Sequence, residues 1–348
     1  MEDGMKTELQ IAADKLVREI FGVKAGENVV LTADYESNQA VLRAVSDSVR
    51  ETGAQVMVVT VPTPGSVGKA ADPDLPVEPL AAALCVCDVW IEFNHQWLLY
   101  STPFERASRE NPKLRYMCLV DFDEDLMIRT IGHVDTPQLQ VFMREVAELT
   151  RNAKTMRVTT PAGCDVTFEI DPVHYVACDC GDATFPAVHM LTGQINVVPR
   201  FGSIQGTIVF DGSVTPPFGH SPKTPIRLTV KDGVIQSVEG GEEAAVYEQY
   251  LRGFQDPGML KMAHIAYGFN PGARLTGSIV EDERVWGATE WGIGYVSEID
   301  APPNGQDAVS HSDGICLQSS VWLDGVQIMD RGRIVLPELA ALMPPLAQ

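Results

Sequence analysis

The chain has 348 residues, 45% of them hydrophobic, and carries 26 Lys and Arg against 47 Asp and Glu for a net charge of −21. The length suits two ordinary domains with real cores, while the charge and the lack of a basic patch speak against nucleic-acid or membrane-surface partners. No apolar run approaches the ~18 residues that would suggest a bilayer span, and the polar, acidic Met1–Leu9 does not read as a secretory leader, so the expected location is cytoplasmic.

Residues 1–153 read as alternating helices and strands. Leu9, Ala12, Ala13, Leu16 and Ile20 form one helical stripe. NVVLTAD (Asn28–Asp34) is a short strand of the buried type, and Ser37 is placed to cap a helix carrying Val41, Val45 and Val49. QVMVVTV (Gln55–Val61) is the next strand. Helix over 75–84, strand over 86–93, helix over 105–111 and strand over 114–120 come after it. Thr136 and Pro137 then open a helix with Leu139, Phe142, Val146 and Leu149 on one face. Four strands separated by helices imply an α/β domain with a doubly wound, mostly parallel sheet. It lacks a G-x-G-x-x-G turn after a strand. Gly65–Lys69 (GSVGK) has Thr63 where a phosphate loop would begin its glycines and Ala70 where it needs Ser or Thr, so nucleotide binding is not expected.

From 154 to 348 the pattern changes to short β-type runs meeting at turns. Strands over 226–230 and 234–238 flank Asp232–Gly233, and strands over 321–323 and 326–329 flank Asp324–Gly325. Both are hairpin signals. One helix, over 242–253, interrupts them. The second domain is therefore β-rich (α+β), with the boundary drawn at 153/154. The seven cysteines at 85, 87, 118, 164, 178, 180 and 316 are odd in number and lack zinc-knuckle spacing, so they read as small buried residues.

Histidine is scarce, and two occur in rich contexts: His264 in AHIAYGFNPG and His311 in SHSDG. On an extended segment, residues i and i+2 share a face, so His311 and Asp313 can converge on one ion. A second histidine from another strand completes a two-histidine, one-carboxylate face, which suits non-haem Fe(II) or, with another ion, an activated water. Glu290 sits between Thr289 and Trp291 in a glycine-rich, aromatic stretch, where desolvation raises a carboxylate's pKa unless a cation is near. Glu281–Glu283 read as a solvated turn.

The runs AHIAYGFNPGA, DERVWGATEWGIG, SHSDG and VWLDGVQIMDRG together resemble the M29 aminopeptidase-like superfamily, nearest its dihydroxypyridine dioxygenase branch at the metal site. The resemblance implies a metal-binding C-terminal domain with His264, His311 and Asp313 as ligands. Against the peptidases, Gln194 and His264 stand at glutamate positions, Glu290 at a histidine and Tyr295 at a tyrosine. Against the dioxygenase branch, His189 matches a pocket histidine, Tyr100 replaces another, and Glu290 has no acidic counterpart. The activity implied by the resemblance is that of a mononuclear Fe(II) ring-opening dioxygenase of a hydroxylated N-heteroaromatic or related phenolic ring, with Glu290, His189 and Tyr100 as the proton-handling candidates. Zn, Mn or Co is the alternative ion, and a metal-dependent hydrolase the alternative activity, in which Glu290 is an extra ligand or the base for a metal-bound water. The implied partners are a small-molecule substrate and O₂, and the implied assembly is a homodimer or larger homo-oligomer.

Overall fold

The computed structural model describes residues 6–346. Thr7 opens the first helix, Glu8–Asp14, in a reciprocal capping box with Gln10. The helix widens into a π-helical segment, Lys15–Ile20, and of the stripe read from sequence Ala12, Ala13, Leu16 and Ile20 are buried while Leu9 is half-buried. Then come β1 (Asn28–Asp34), β2 (Gln55–Val61), β3 (Val89–Glu92) and β4 (Arg115–Cys118), all parallel. The helices between them are Gln39–Glu51, Val77–Leu84 and Thr102–Glu110. Asn38, not Ser37, caps the first of these, because the Ser37 hydroxyl is held by the buried Asp34 carboxylate at 3.2 Å. The helix expected from 105 begins three residues earlier, where Ser101 caps it and Pro103 occupies its first turn.

β5 (Thr155–Thr159), β6 (Asp165–Glu169) and β7 (Val176–Asp179) belong to antiparallel sheets. The chain then returns with β8 (Ala187–Met190), which pairs parallel with β4. The first sheet therefore has five strands in the order β2-β1-β3-β4-β8, one more than the sequence pattern revealed. The remaining strands are β9 (Gln194–Val197), β10 (Gln205–Phe210), β11 (Val214–Thr215), β12 (Ile226–Lys231), β13 (Val234–Glu239), β14 (Met262–Gly268), β15 (Thr289–Val296), β16 (Gln306–Cys316), β17 (Ser320–Leu323), β18 (Val326–Asp330) and β19 (Arg333–Ile334). They complete an eight-stranded sheet, β13-β12-β10-β6-β5-β17-β18-β19, and a six-stranded sheet, β11-β16-β15-β14-β9-β7. At both expected hairpins the two turn residues have positive φ, as the Asp-Gly pairs require: 51° and 71° at Asp232–Gly233, 48° and 83° at Asp324–Gly325.

The chain divides into two compact units. One holds the residues up to Thr136 together with Gly181–Thr192, and the other holds Pro137–Cys180 and the residues from Gly193 on. This differs from the boundary drawn at 153/154. The helix Thr136–Asn152 groups with the β-rich unit, because its Phe142 packs on Phe269 and Trp286 and its Thr150 hydroxyl meets the Tyr267 hydroxyl at 3.2 Å. The first unit is thus α/β with a parallel sheet, and the second is β-rich with a few helices. Five of the seven cysteines are buried, and Cys85 and Cys178 are partly so. No described helix is long and apolar enough to cross a membrane.

Candidate metal centre

β14, β15 and β16 lie side by side in the six-stranded sheet. Their register sets Ala266 beside Glu290, Gly292 beside Asp313 and Gly294 beside His311. Because side chains alternate along a strand, Glu290, Gly292 and Gly294 share one face of β15 with His311 and Asp313 of β16. Trp291 and Ile293 take the opposite face and are wholly buried, Trp291 edge-on to Phe168. His264 reaches the first face from β14, where the pairing with β15 is irregular between Met262 and Ile265. Gly292 leaves room for its ring: a Cβ there would lie 2.5 Å from His264 Cε1. The His264 and His311 rings stack with centroids 5.1 Å apart and planes 16° apart.

The polar atoms converge. His311 Nδ1 donates to the Tyr295 carbonyl at 2.9 Å, which leaves Nε2 facing Asp313 Oδ1 at 2.8 Å. His264 Nε2 stands 3.0 Å from Glu290 Oε2 and 3.8 Å from Asp313 Oδ1. One ligand atom each from His264, His311 and Asp313 lies within 4.8 Å of the others, so they could hold an ion together. The Glu290 side chain is fully buried, those of His264 and Asp313 nearly so, and that of His311 is 31% exposed.

The electrostatics suit a cation. Burial, then the neighbouring His311, pushes His264 down to about 4, so its ring is neutral. Burial alone would raise Asp313, but the adjacent His311 holds it below the usual carboxylate range. Burial pushes Glu290 well above that range, and the charges of Asp313 and Glu283 add to the effect. Its Oε1 is buried without a hydrogen-bond partner among the described residues. Leaving a carboxylate so placed is costly unless positive charge compensates it. Burial disfavours charge on His311, but Asp313 beside it raises its pKa above the ordinary value. With Nδ1 tied to the Tyr295 carbonyl, an ion that displaces the Nε2 proton would meet the arrangement in which histidine commonly ligates metal. Two imidazoles and a carboxylate fit a divalent transition ion such as Fe(II), Zn, Mn or Co.

The acidic turn Glu281–Glu283 is not solvated, contrary to the sequence reading. Glu281 and Asp282 are buried and Glu283 is half-buried. Asp282 accepts the backbone N–H groups of Thr276 and Gly277, and Glu281 accepts the N–H of Arg274 and the hydroxyl of Thr276. Glu283 pairs with buried Arg284 at 2.9 Å and accepts from Gln194 at 2.9 Å, while Arg284 also donates to Gln194 at 2.8 Å. Gln194 therefore serves as a neutral bridge between a carboxylate and a guanidinium. Sequence reasoning missed this network, along with the site-facing glycines. The alternation Glu290-x-Gly292-x-Gly294 was the available signal for the glycines.

The other two expected residues lie in the first unit, outside this cluster. His189 is on β8, buried, with Nε2 donating to the Phe185 carbonyl at 3.0 Å and its ring edge-on to Phe185. Tyr100 is 49% exposed, has a left-handed φ of 64° and packs edge-on against Phe104. Tyr295 is half-exposed and contributes its carbonyl to His311.

Known proteins share both the sequence pattern and the fold. The model of the family described as NicX, 2,5-dihydroxypyridine 5,6-dioxygenase, matches residues 12–336. A curated 2,5-dihydroxypyridine 5,6-dioxygenase of Pseudomonas putida is 25% identical over 202 residues, covering 55% of this chain and 57% of the relative, little more than half its length. The solved structure of a 2,5-dihydroxypyridine dioxygenase from Pseudomonas putida superposes with a TM-score of 0.78 at 19% identity, over 97% of this chain and 100% of that one. AmpT from Thermus thermophilus superposes with a TM-score of 0.67 at 14% identity, over 94% of this chain and 99% of its own. At these identities the two structures establish a shared fold.

Proposed function

The chain belongs to the 2,5-dihydroxypyridine 5,6-dioxygenase (NicX) family of enzymes, within the M29-like superfamily, and from that premise we propose that it is a mononuclear non-haem Fe(II) dioxygenase that opens a dihydroxypyridine or a closely related hydroxylated N-heteroaromatic ring. The observation that carries this reading is the convergence of His264, His311 and Asp313 on one face of β14 and β16. Family membership favours the dioxygenase over a metal-dependent hydrolase.

In this reading His264 and His311 supply neutral nitrogen donors and Asp313 an anionic oxygen. The Tyr295 carbonyl fixes the tautomer and angle of His311. Gly292 keeps the space that the His264 ring occupies. When bound, Fe(II) supplies the redox-active centre at which O₂ and an aromatic ring can react with one another. His189 and Tyr100 remain the candidates for moving the ring's hydroxyl protons, a role that the family resemblance implies for these positions. The Phe185 carbonyl holds the His189 Nε2 proton, which leaves Nδ1 as the basic nitrogen. A homodimer or larger assembly in the cytoplasm belongs to the same reading.

The test is elemental analysis of protein purified without oxygen, followed by O₂ uptake with 2,5-dihydroxypyridine. The expected result is about one iron per chain and substrate-dependent O₂ consumption. Ala at His264, His311 or Asp313 should remove most of the iron and the uptake while circular dichroism stays native. Full metal occupancy in all three variants would overturn the ligand set, and metal-dependent hydrolysis without O₂ uptake would overturn the activity.

A further inference from the structure

Three carboxylates act on one another around this face of the sheet: Asp313, Glu290 and Glu283. Arg284 stands beside Glu283, and its guanidinium is already engaged by Glu283, the Val280 carbonyl and Gln194. A divalent ion held by His264, His311 and Asp313 would bring positive charge to this group of carboxylates.

Glu290 is also placed to meet the ion. Its Oε2 stands 3.0 Å from His264 Nε2, the nitrogen that faces Asp313 Oδ1 at 3.8 Å. Donors that share one ion at bond lengths near ~2.1 Å lie roughly 3–3.5 Å apart. Glu290 thus stands at the His264 edge of the three-residue group. Its second oxygen, Oε1, has no hydrogen-bond partner among the described residues although it is buried. A glutamate whose task was only to orient His264 would leave that oxygen unexplained, and a glutamine would serve as well.

We propose that Glu290 is a fourth protein donor, so that the centre of this chain is a two-histidine, two-carboxylate site. This rests on the reading that His264, His311 and Asp313 hold a metal. The consequence concerns substrate class. An octahedral ion held by four side chains keeps two positions for small molecules. That suits a ring whose two hydroxyl oxygens lie on opposite sides, since both cannot reach one ion. It disfavours a catechol-type ring, whose adjacent oxygens would fill both positions at once.

The experiment loads the protein with Mn(II) alone and measures its dissociation constant together with water-proton relaxation, which reports the water molecules on the ion. Wild type, E290Q, E290A and H264A are compared, with circular dichroism as the folding control. The expected result is a dissociation constant raised at least ~10-fold in both Glu290 variants, with hydration in E290A higher by about one water. Unchanged hydration in E290A would overturn the proposal. So would E290Q holding Mn(II) as tightly as wild type, because an orienting partner would then suffice. If E290A does not fold, the E290Q affinity decides alone. A wild type that binds no Mn(II), or an H264A variant that binds it equally well, would instead overturn the metal reading beneath the proposal.

Discussion

Two glutamates, one in each unit, are completely buried, and their surroundings differ in kind. Glu92 ends β3 of the parallel sheet. Both its oxygens are taken, Oε1 by the Leu98 N–H and Oε2 by the Tyr116 hydroxyl, each at 2.5 Å. Glu290 on β15 has one oxygen near His264 and the other without a partner among the described residues, with carboxylates as neighbours. Burial raises the pKa of both. Burial or a shifted pKa alone therefore does not mark a functional group. The informative difference is satisfaction: Glu92 ties a loop to a strand, whereas Glu290 has an oxygen that the fold does not use.

If the antiparallel site is built around space for the His264 ring, a single methyl group there should do disproportionate harm. Gly292→Ala would set a Cβ 2.5–2.8 Å from three atoms of that ring. The expected outcome is a loss of metal affinity of about tenfold or more, with a stability cost of ~1–3 kcal/mol from overpacking. Metal titration and chemical denaturation measure the two separately. Wild-type affinity in this variant would mean that the His264 ring does not need the position it occupies, and the contrast with Glu92 would lose its geometric basis.

The ease of reading these regions from sequence tracks how local their causes are. The H-x-D pair was legible because two residues on one strand suffice to place His311 and Asp313 together. The hairpins were legible because Asp-Gly itself sets the turn. β8 was not: four residues, AVHM, pair with a strand some seventy positions earlier, and no local pattern announces that return. The acidic turn misled partly for the same reason, although Glu281 and Asp282 take their donors from only five to seven residues away. Three adjacent acids usually mean solvent, but the partner of Glu283, Gln194, lies 89 residues away. The convergence of Glu290 on His264 depends on the register of β14 and β15, which no spacing rule supplies.

The Glu92 side of the comparison can be broken by pH. Burial pushes its carboxyl up to about 7 against an ordinary value of 4.5, with the Tyr116 hydroxyl and Leu98 N–H pulling the other way. The folded state thus holds a proton that the unfolded chain releases. Stability from this group is fully present below about pH 4.5 and falls as pH rises towards 7, by roughly 3 kcal/mol at most. Glu92→Gln should flatten that part of the stability-against-pH curve, as read from denaturant melts at several pH values. It should leave metal content unchanged, since Glu92 belongs to the other unit's sheet. An identical slope in the variant would show that Glu92 is not the group responsible.

The smallest expected effect is none at all, and it concerns the place where a doubly wound sheet usually binds its ligand. Nucleotide phosphates sit at the carboxyl ends of the strands, on backbone N–H groups and a helix N-terminus. Here those donors are already engaged. Asp34, at the end of β1, accepts the N–H groups of Glu36 at 3.0 Å, His95 at 2.7 Å and Gln96 at 3.1 Å. Asn38 accepts those of Ala40 at 2.9 Å and Val41 at 3.1 Å, at the start of the next helix. Lys69, the lysine of the loop that resembles a phosphate-binding segment, pairs with Glu105 at 3.0 Å. A buried carboxylate thus takes the donors that a phosphate would need, and an incoming phosphate would meet its negative charge. Calorimetric titration with NAD, ATP and FAD should give no binding heat up to about 1 mM, a threshold corresponding to ~4 kcal/mol of affinity. Saturable binding well below that concentration would mean that Asp34 or Asn38 gives way to a ligand. The parallel sheet would then be a second binding unit, and the difference between the two buried glutamates would no longer separate scaffold from site.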